Sequence, residues 1–161
     1  AMSVSGRANV INFHVHEMRV FGDLIEKLDV EPEEVKVLQN LALYGKVTAN
    51  EGAKDLHYIA DGKSTENKYS DSNAGIADSF VVVELPDTSM VEKFRVVTYA
   101  NKTTKWYTWE VLVSDDNETW TSVGAYETES NPGYAGATVT LEEPVTAKYV
   151  KIQGLKTNNN S

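Results

Sequence analysis

The stretch that decides the fold is Trp106–Trp120, which reads WYTWEVLVSDDNETW. Every second residue in its first half is large and apolar, as expected of a β-strand with one buried face. These residues are Tyr107, Trp109, Val111 and Val113. A turn follows at Asp115-Asp116-Asn117, because Asp and Asn side chains bond their own backbone and tolerate left-handed conformations. The stretch therefore predicts a β-hairpin whose second strand is Trp120–Val123.

Short apolar runs separated by turn residues continue on both sides of this hairpin, from Leu41 to Leu155. Ser79–Leu85 is rich in valine on both faces, which is typical of a central strand that is covered on both sides. Val91–Ala100 alternates instead, and its candidate core residues are Val91, Phe94 and Val96. Two further strands are predicted at Ala137–Leu141 and Ala147–Leu155. Many short strands with little helix indicate an all-β sandwich or barrel.

Composition narrows the range of functions. The chain has 161 residues, enough for one domain, with a formal net charge of -9 and a pI near 4.8. This balance argues against nucleic acid and against anionic membranes as partners, since both select clusters of Lys and Arg. The absence of cysteine excludes disulfides, thiolate metal sites and cysteine nucleophiles. No apolar run reaches the roughly 18–20 residues that span a bilayer, and any export signal is expected outside this sequence.

The segment Val10–Phe21 changes the phase of its alternation part-way along. The apolar residues before the change are Phe13 and Val15, and those after it are Met18 and Val20. A one-residue shift of this kind is what a β-bulge produces, and bulges re-aim side chains at special sites. Glu17 lies at the shift. It is either an exposed carboxylate on an edge strand or a residue that the bulge turns toward a site.

Taken in order, these pieces resemble the discoidin domains, also called coagulation factor V/VIII type C domains, and above all the family 32 carbohydrate-binding modules. The resemblance covers residues 40–155 and implies an all-β, discoidin-like jelly-roll β-sandwich. The segments that carry it are the first strand Asn40–Ala49, the Asp-Gly loop Ala60–Lys63 with Tyr69 after it, the hairpin Trp109–Trp120 and the penultimate strand Ala147–Ile152.

The family's last strand has the form Glu-apolar-x-apolar-aromatic-Gly, and here that pattern occurs at the other end of the chain, as Glu17–Gly22. It is the tail of a preceding module, a circular permutation, or a strand swapped in a dimer. We expect it to insert into the chain's own sandwich beside Ala147–Leu155, because a sheet edge would otherwise lie open. The predicted unit is thus one module, residues 1–161, with the family-final strand at 10–22, a linker at 23–39 and the main sandwich at 40–155. A turn of helix is expected at Leu24–Leu28, with Asp23 as its N-cap.

The resemblance also implies a structural calcium ion where the Asp-Gly loop meets the last strand. Oxygen ligands on a rigid turn suit this hard cation, which takes about six to eight of them. By resemblance the ligands are the Asp61 carboxylate, the Lys63 carbonyl, Glu17, and Thr65 or Asn67. The alternative is an ordinary Asx turn at Asp61. A zinc site made of His14, His16 and His57 is disfavoured, because His14 and His16 are expected to be exposed on the face opposite the core.

A sugar site needs an aromatic face for the C–H patch of the ring and polar groups for its hydroxyls. The loop Asn101–Tyr107 offers both. Trp106 has the opposite phase to Trp109, which leaves it at the surface, either as a stacking platform or packed under the Lys105 stem. Trp109 and Trp120 are expected in the core. With the family's geometry, the carbohydrate-binding residues are Trp106, Lys105, Asn101, Tyr69, Asp71, Arg7 and Asn9, with Tyr134 as a weaker candidate.

Together these observations favour a non-catalytic carbohydrate-binding module, accessory to a secreted or cell-surface glycoside hydrolase, with a glycan and the parent enzyme as its partners. The His and the late aromatic residue of galactose-binding relatives have no counterpart, so galactose specificity is not implied. The alternatives are a structural spacer or protein-interaction module, and a phospholipid-binding discoidin domain, although no basic patch is visible. A hydrolase in its own right would need a convergent acid–base pair, and the carboxylates cluster in turns instead.

Overall fold

The computed structural model describes residues 13–24, 38–64, 70–72, 79–99 and 104–158. Within these ranges the strands are antiparallel and hydrogen-bonded into one continuous sheet that folds over itself. The strands are β1 (Phe13–Leu24), β2 (Gln39–Asn40), β3 (Lys46–Ala49), β4 (Ser70–Ser72), β5 (Phe80–Thr98), β6 (Tyr107–Ser114), β7 (Thr121–Tyr126) and β8 (Ala137–Thr157). Single turns of 3-10 helix lie at Leu56–Tyr58 and Gly133–Ala135. No helix in the described ranges has the length and apolarity to cross a membrane.

The long strands β5 and β8 build the sandwich because each passes from one layer to the other. The first part of β5 pairs with β3 and with residues 149–153 of β8, whereas its second part pairs with β1 and with residues 137–147. The register breaks between Glu84 and Ser89, around Pro86, and again beside Val91, opposite the segment with Pro144. Proline has no N–H to give to a ladder, so both prolines fall where the strands bend. The predicted all-β sandwich is confirmed.

The core follows the alternation seen in the sequence. All the predicted inward residues of β6 are buried, and the ring of Trp109 stacks on Tyr126 of β7 with 5.6 Å between centroids. The valines at the start of β5 are buried on both faces, as predicted for a doubly covered strand. The buried apolar residues of these two strands are Val81, Val82, Val83, Leu85, Val91, Phe94, Val96, Val97, Tyr107, Trp109, Val111 and Val113.

The N-terminal strand is part of this sandwich, but its neighbour differs from the prediction. β1 pairs antiparallel with the second half of β5, from Val15 opposite Thr98 to Leu24 opposite Ser89. The expectation that it lies beside Ala147–Leu155 was wrong, because residues 149–153 pair with the first half of β5 and β6 takes the other side of β8 there. β4 and β2 pair with the opposite edge of β1, so it is not an edge strand along its whole length.

Three boundaries were also misplaced. Asn40–Ala49 is not one strand, because residues 41–44 form a turn with Tyr44 at a positive φ of 64° between β2 and β3. The strands predicted on either side of Pro86 are one strand, and so are those on either side of Pro144. Asp23 and Leu24 were predicted to begin a helical turn but pair with β5 at the end of β1, so Asp23 is not an N-cap. The rest of the predicted turn and most of the linker lie outside the described residues.

Candidate functional site

A β-bulge in β1 places two polar side chains inside the sandwich. The register against β5 shifts between Val15 and Glu17, which is where the phase of the apolar pattern changes in the sequence. All four residues from Val15 to Met18 are buried, with His16 at 1% exposure and Glu17 at 0%. The predicted bulge is confirmed. The expectation that His16 is exposed was wrong, because the extra residue rotates it inward; the His14 side chain lies outside the described residues.

Glu17 is held by two arginines. Its Oε1 accepts a hydrogen bond from Arg19 Nε at 2.8 Å, and its Oε2 lies 3.7 Å from Nη1 of Arg95. Arg19 also donates from Nη2 to the Gly62 carbonyl at 3.1 Å. Burial lowers the pKa of Arg95, and the neighbouring charge of Arg19 lowers it further, while Glu17 opposes both effects. The carboxylate is therefore neutralised by guanidinium groups, and one of them bridges β1 to the Asp-Gly turn.

The calcium prediction can be compared with the groups present at this junction. Asp61 Oδ1 accepts the Lys63 N–H at 2.9 Å, which is the Asx turn considered as the alternative, and Gly62 has the positive φ of 81° that this turn requires. Thr65 and Asn67 lie outside the described residues. Among the residues that the structure describes, no three His, Cys, Asp or Glu side chains approach closely enough to hold a metal ion. In the described part of the junction, Arg19 bonds both the Glu17 carboxylate and the Gly62 carbonyl, and the calcium site stays a prediction.

Above the bulge, aromatic rings gather at one end of the sandwich. His16 lies against Tyr134 edge-on, with 5.7 Å between ring centroids, and against Tyr99 at 6.1 Å. Arg95 anchors the segment that carries Tyr134, because its Nη2 donates to the Tyr134 carbonyl at 2.8 Å and its Nε donates to the Ala135 carbonyl at 2.6 Å. The buried imidazole of His16 thus lies beneath the rings of two half-buried tyrosines.

Asn131 fastens three chain segments at this end. Its Nδ2 donates to the Tyr99 carbonyl at 3.0 Å and to the Lys105 carbonyl at 2.7 Å, and its Oδ1 accepts the Gly133 N–H at 2.8 Å. The Lys105 ammonium lies over the Tyr99 ring, 5.9 Å from its centroid. We call Tyr99, Lys105, Trp106, Asn131 and Tyr134 the aromatic end.

The backbone of Trp106, next to Lys105, is held by two side-chain hydrogen bonds. Its N–H donates to Asn158 Oδ1 at 2.9 Å, and its carbonyl accepts from Thr157 Oγ1 at 2.7 Å. The indole is half-buried, and the ring is covered at 5.5 Å by the ammonium of Lys156, which also pairs with Glu129. The ammonium that lies over Trp106 is therefore that of Lys156, whereas the ammonium of Lys105 lies over Tyr99. Trp106 is a surface tryptophan, as its phase predicts.

Of the other residues predicted to bind carbohydrate, the structure describes only the backbone of Asp71. Asp71 pairs with His14 in the β4–β1 ladder, so its backbone lies at the end of β1 near Thr98 and Tyr99. Asn101, Tyr69, Arg7 and Asn9 lie outside the described residues. The structure adds Tyr99 and Asn131, which the sequence reasoning missed. Tyr99 could have been found from the sequence, because it directly follows a strand of alternating apolar residues. The Asn131-Pro-Gly turn has no sequence pattern that predicts the hydrogen bonds of Asn131 to two other segments.

Trp109 is in the core as predicted, but Trp120 is not. Its ring is half-exposed, and the Lys151 ammonium lies over it, 4.2 Å from the centroid. Burial lowers the pKa of Lys151, and Glu110 opposes that shift. A groove of about 290 Å³ runs beside this pair and is also lined by Phe80 and Asn117. Trp120 therefore covers the outer face of the sheet.

The family model of the F5/8 type C domain matches residues 45–161. The chain belongs to this family. The resemblance to discoidin domains is thus confirmed, and strand β1 lies before the matched part. No curated protein shows a significant match to the chain.

Solved structures of the F5/8 type C fold include several carbohydrate-binding modules. A pectin-binding module shares 24% identity at a TM-score of 0.54, over 72% of this chain and 81% of its own. Chitosan-binding module 1 of a chitosanase/glucanase from Paenibacillus sp. IK-5 shares 24% at 0.53, over 75% and 89%. A family 89 glycoside hydrolase from Clostridium perfringens shares 19% at 0.54, and the match covers 71% of this chain but 13% of the enzyme. At these identities the likeness establishes the fold.

Proposed function

We propose that this F5/8 type C domain is a non-catalytic carbohydrate-binding module that attaches a secreted or cell-surface glycoside hydrolase to its glycan. The observation that carries the proposal is the aromatic end, where half-buried rings and polar groups lie on a backbone that Asn131 and Asn158 hold by hydrogen bonds. The family and the neighbouring structures support it, because modules of this fold bind pectin and chitosan and one fold match lies within a glycoside hydrolase.

The chemistry of the aromatic end suits a sugar. A pyranose offers an apolar C–H face that packs on Tyr or Trp, and a rim of hydroxyls that needs donors and acceptors. Trp106, Tyr99 and Tyr134 supply rings, while Lys105 supplies an ammonium donor. Because Asn131 and Asn158 hold the backbone around these rings, the site is ordered before the ligand arrives, which lowers the entropic cost of binding.

The charges inside the sandwich favour binding over hydrolysis. Glycoside hydrolysis requires two carboxyl groups that flank the scissile bond, one of them able to donate a proton. In the described part of the chain, Glu17 is the buried carboxylate, and it is neutralised by Arg19 and Arg95 below the surface of the site. A carboxylate that is fully buried and bound by Arg19 inside the sandwich does not flank a glycosidic bond at the surface, so it does not supply one of the two carboxyl groups.

The test is a glycan panel containing pectin and chitosan fragments and galactose-terminated oligosaccharides, probed with the wild type, Trp106→Ala and Tyr99→Ala. One stacked ring contributes about 1–3 kcal/mol if base–aromatic stacking is a fair guide, so each variant should weaken binding by about 5- to 150-fold. Tyr44→Ala is the matched control, because Tyr44 is 85% exposed and lies outside the aromatic end.

Three results would count against the proposal. If no glycan binds the wild type, the result supports a structural spacer. If vesicles of anionic phospholipid bind the wild type and glycans do not, the result supports a lipid-binding domain. If Tyr44→Ala weakens binding and the other two variants do not, the sugar occupies the groove of about 380 Å³ beside Tyr44, Leu56 and His57. Each variant must remain fully folded at the temperature of the binding assay for any loss to be assigned to the site.

A further inference from the structure

The guanidinium group of Arg19 lies at the junction of β1 with the Asp61-Gly62 turn. Nε binds the Glu17 carboxylate at 2.8 Å and Nη2 binds the Gly62 carbonyl at 3.1 Å, so one cation joins an oxygen of the strand to an oxygen of the turn. A hard metal ion would join the same two kinds of oxygen. We propose that Arg19 is the built-in structural cation of this module and that it, rather than calcium, fastens the turn to β1.

Electrostatics at the junction favours the guanidinium. Glu17 is fully buried, and an ionised carboxylate in that position requires a positive partner. Arg19 and Arg95 supply two, at 2.8 Å and 3.7 Å from its oxygens. A divalent ion bound to Glu17 would lie beside both guanidinium groups, and like charges at such separations repel strongly in a partly buried site.

The geometry of the turn points the same way. Asp61 uses Oδ1 within its own turn, where it accepts the Lys63 N–H. Beyond Arg19, the loop is tied to β1 by a backbone hydrogen bond from Met18 N–H to the Ile59 carbonyl at 2.8 Å. The planar fork of an arginine can serve two oxygens in fixed directions, which the ammonium of a lysine does less well. Arg19 therefore positions the turn as well as neutralising Glu17.

The experiment compares melting temperatures of the wild type, Arg19→Met, Arg19→Lys and Lys46→Gln, each in EDTA and in millimolar calcium chloride. Lys46 is an exposed cation on β3 and serves as the surface-charge control. Arg19→Met leaves the buried Glu17 with Arg95 alone, at 3.7 Å, and removes the bond to the turn, so this variant should melt roughly 10 °C lower. Arg19→Lys should fall between it and the wild type, and Lys46→Gln should stay within about 2 °C of it. The wild type should melt at the same temperature in EDTA and in calcium.

Two outcomes would overturn the proposal. A structural calcium ion present at a hundred times its dissociation constant would raise the melting temperature of the wild type by roughly 5–10 °C over EDTA. If that rise is seen, calcium holds the junction. If Arg19→Met melts like Lys46→Gln, the guanidinium does not fasten the turn. If Arg19→Met does not fold, the Arg19→Lys variant decides by the same two criteria. None of these readouts depends on glycan binding.

Discussion

Replacing Gly22 with alanine should detach the end of β1 from the sandwich. A Cβ added at this position would lie 1.6 Å from the Met90 carbonyl oxygen and 2.7 Å from its carbon, both in the backbone of β5. The ladder would have to open by about 2 Å before the contact became ordinary. Gly22 is the glycine that closes the Glu17–Gly22 pattern, and this close approach is the physical reason for it.

The cost can be worked from the pairs that the opening removes. Gly22, Asp23 and Leu24 face Val91, Met90 and Ser89 across the ladder. At about 1 kcal/mol net for each lost hydrogen bond, the pairs account for roughly 3 kcal/mol. Alanine returns about 0.4–1 kcal/mol by restricting the unfolded chain, so a net loss of about 2–3 kcal/mol is expected.

Urea denaturation followed by tryptophan fluorescence measures the loss of stability. With a slope of about 2 kcal/mol/M, the midpoint of Gly22→Ala should fall by about 1–1.5 M relative to the wild type. Gly133→Ala is the control, since its Cβ meets nothing within 4 Å while its positive φ of 61° carries a left-handed penalty of about 1–2 kcal/mol. A Gly22→Ala midpoint equal to that of the wild type would refute the reasoning and remove β1 from its place beside β5.

Two further predictions concern the hairpin. Trp109 is fully buried, so Trp109→Ala should lower the free energy of unfolding, measured in urea, by about 3–5 kcal/mol. Trp106→Ala should lower it by well under half of that amount. Equal losses of stability would place Trp106 in the core. At Asp116, hydrogen bonds from the backbone N–H groups of Thr119 and Glu118 and from the Ser114 hydroxyl lower the carboxyl pKa to about 2. A lowered pKa gives stability that is fully present above the unfolded value of about 3.9 and is lost as the pH falls through about 2. Asp116→Asn should therefore be less stable than the wild type at pH 7, and the gap should close between pH 4 and pH 2; a gap that does not vary with pH would show that the charge contributes nothing.

The sequence predicted which faces are buried better than it predicted which strands are neighbours. Alternation identified the inward side of β6 and the core residues Val91 and Phe94, because a period of two is set by the backbone itself. It also located the bulge near Glu17. It did not reveal that β1 pairs with β5, since the same apolar face would be buried beside either long strand. Pro86 was treated as a break between strands, although it marks a bend within one.

The candidate site was harder to predict because its parts are far apart in the sequence. The loop with Lys105 and Trp106 could be found from its composition alone. Tyr99 and Tyr134 come together only because His16 lies beneath both rings and Asn131 holds the surrounding backbone. No local pattern records such contacts, and the predicted exposure of His16 pointed away from them.

The bulge in β1 connects the fold to the aromatic end. By turning both His16 and Glu17 inward, it supplies the floor for the tyrosines and creates a buried charge that has to be neutralised. Arg95, on β5, places Nη1 near the Glu17 carboxylate, and its Nη2 and Nε donate to the carbonyls of Tyr134 and Ala135. An arginine oriented by a buried carboxylate is a stiffer anchor for a loop than one that is free in solvent, because its rotamers are already restricted. The same extra residue that disturbs the alternation of the strand thus sets the position of the loop that carries Tyr134.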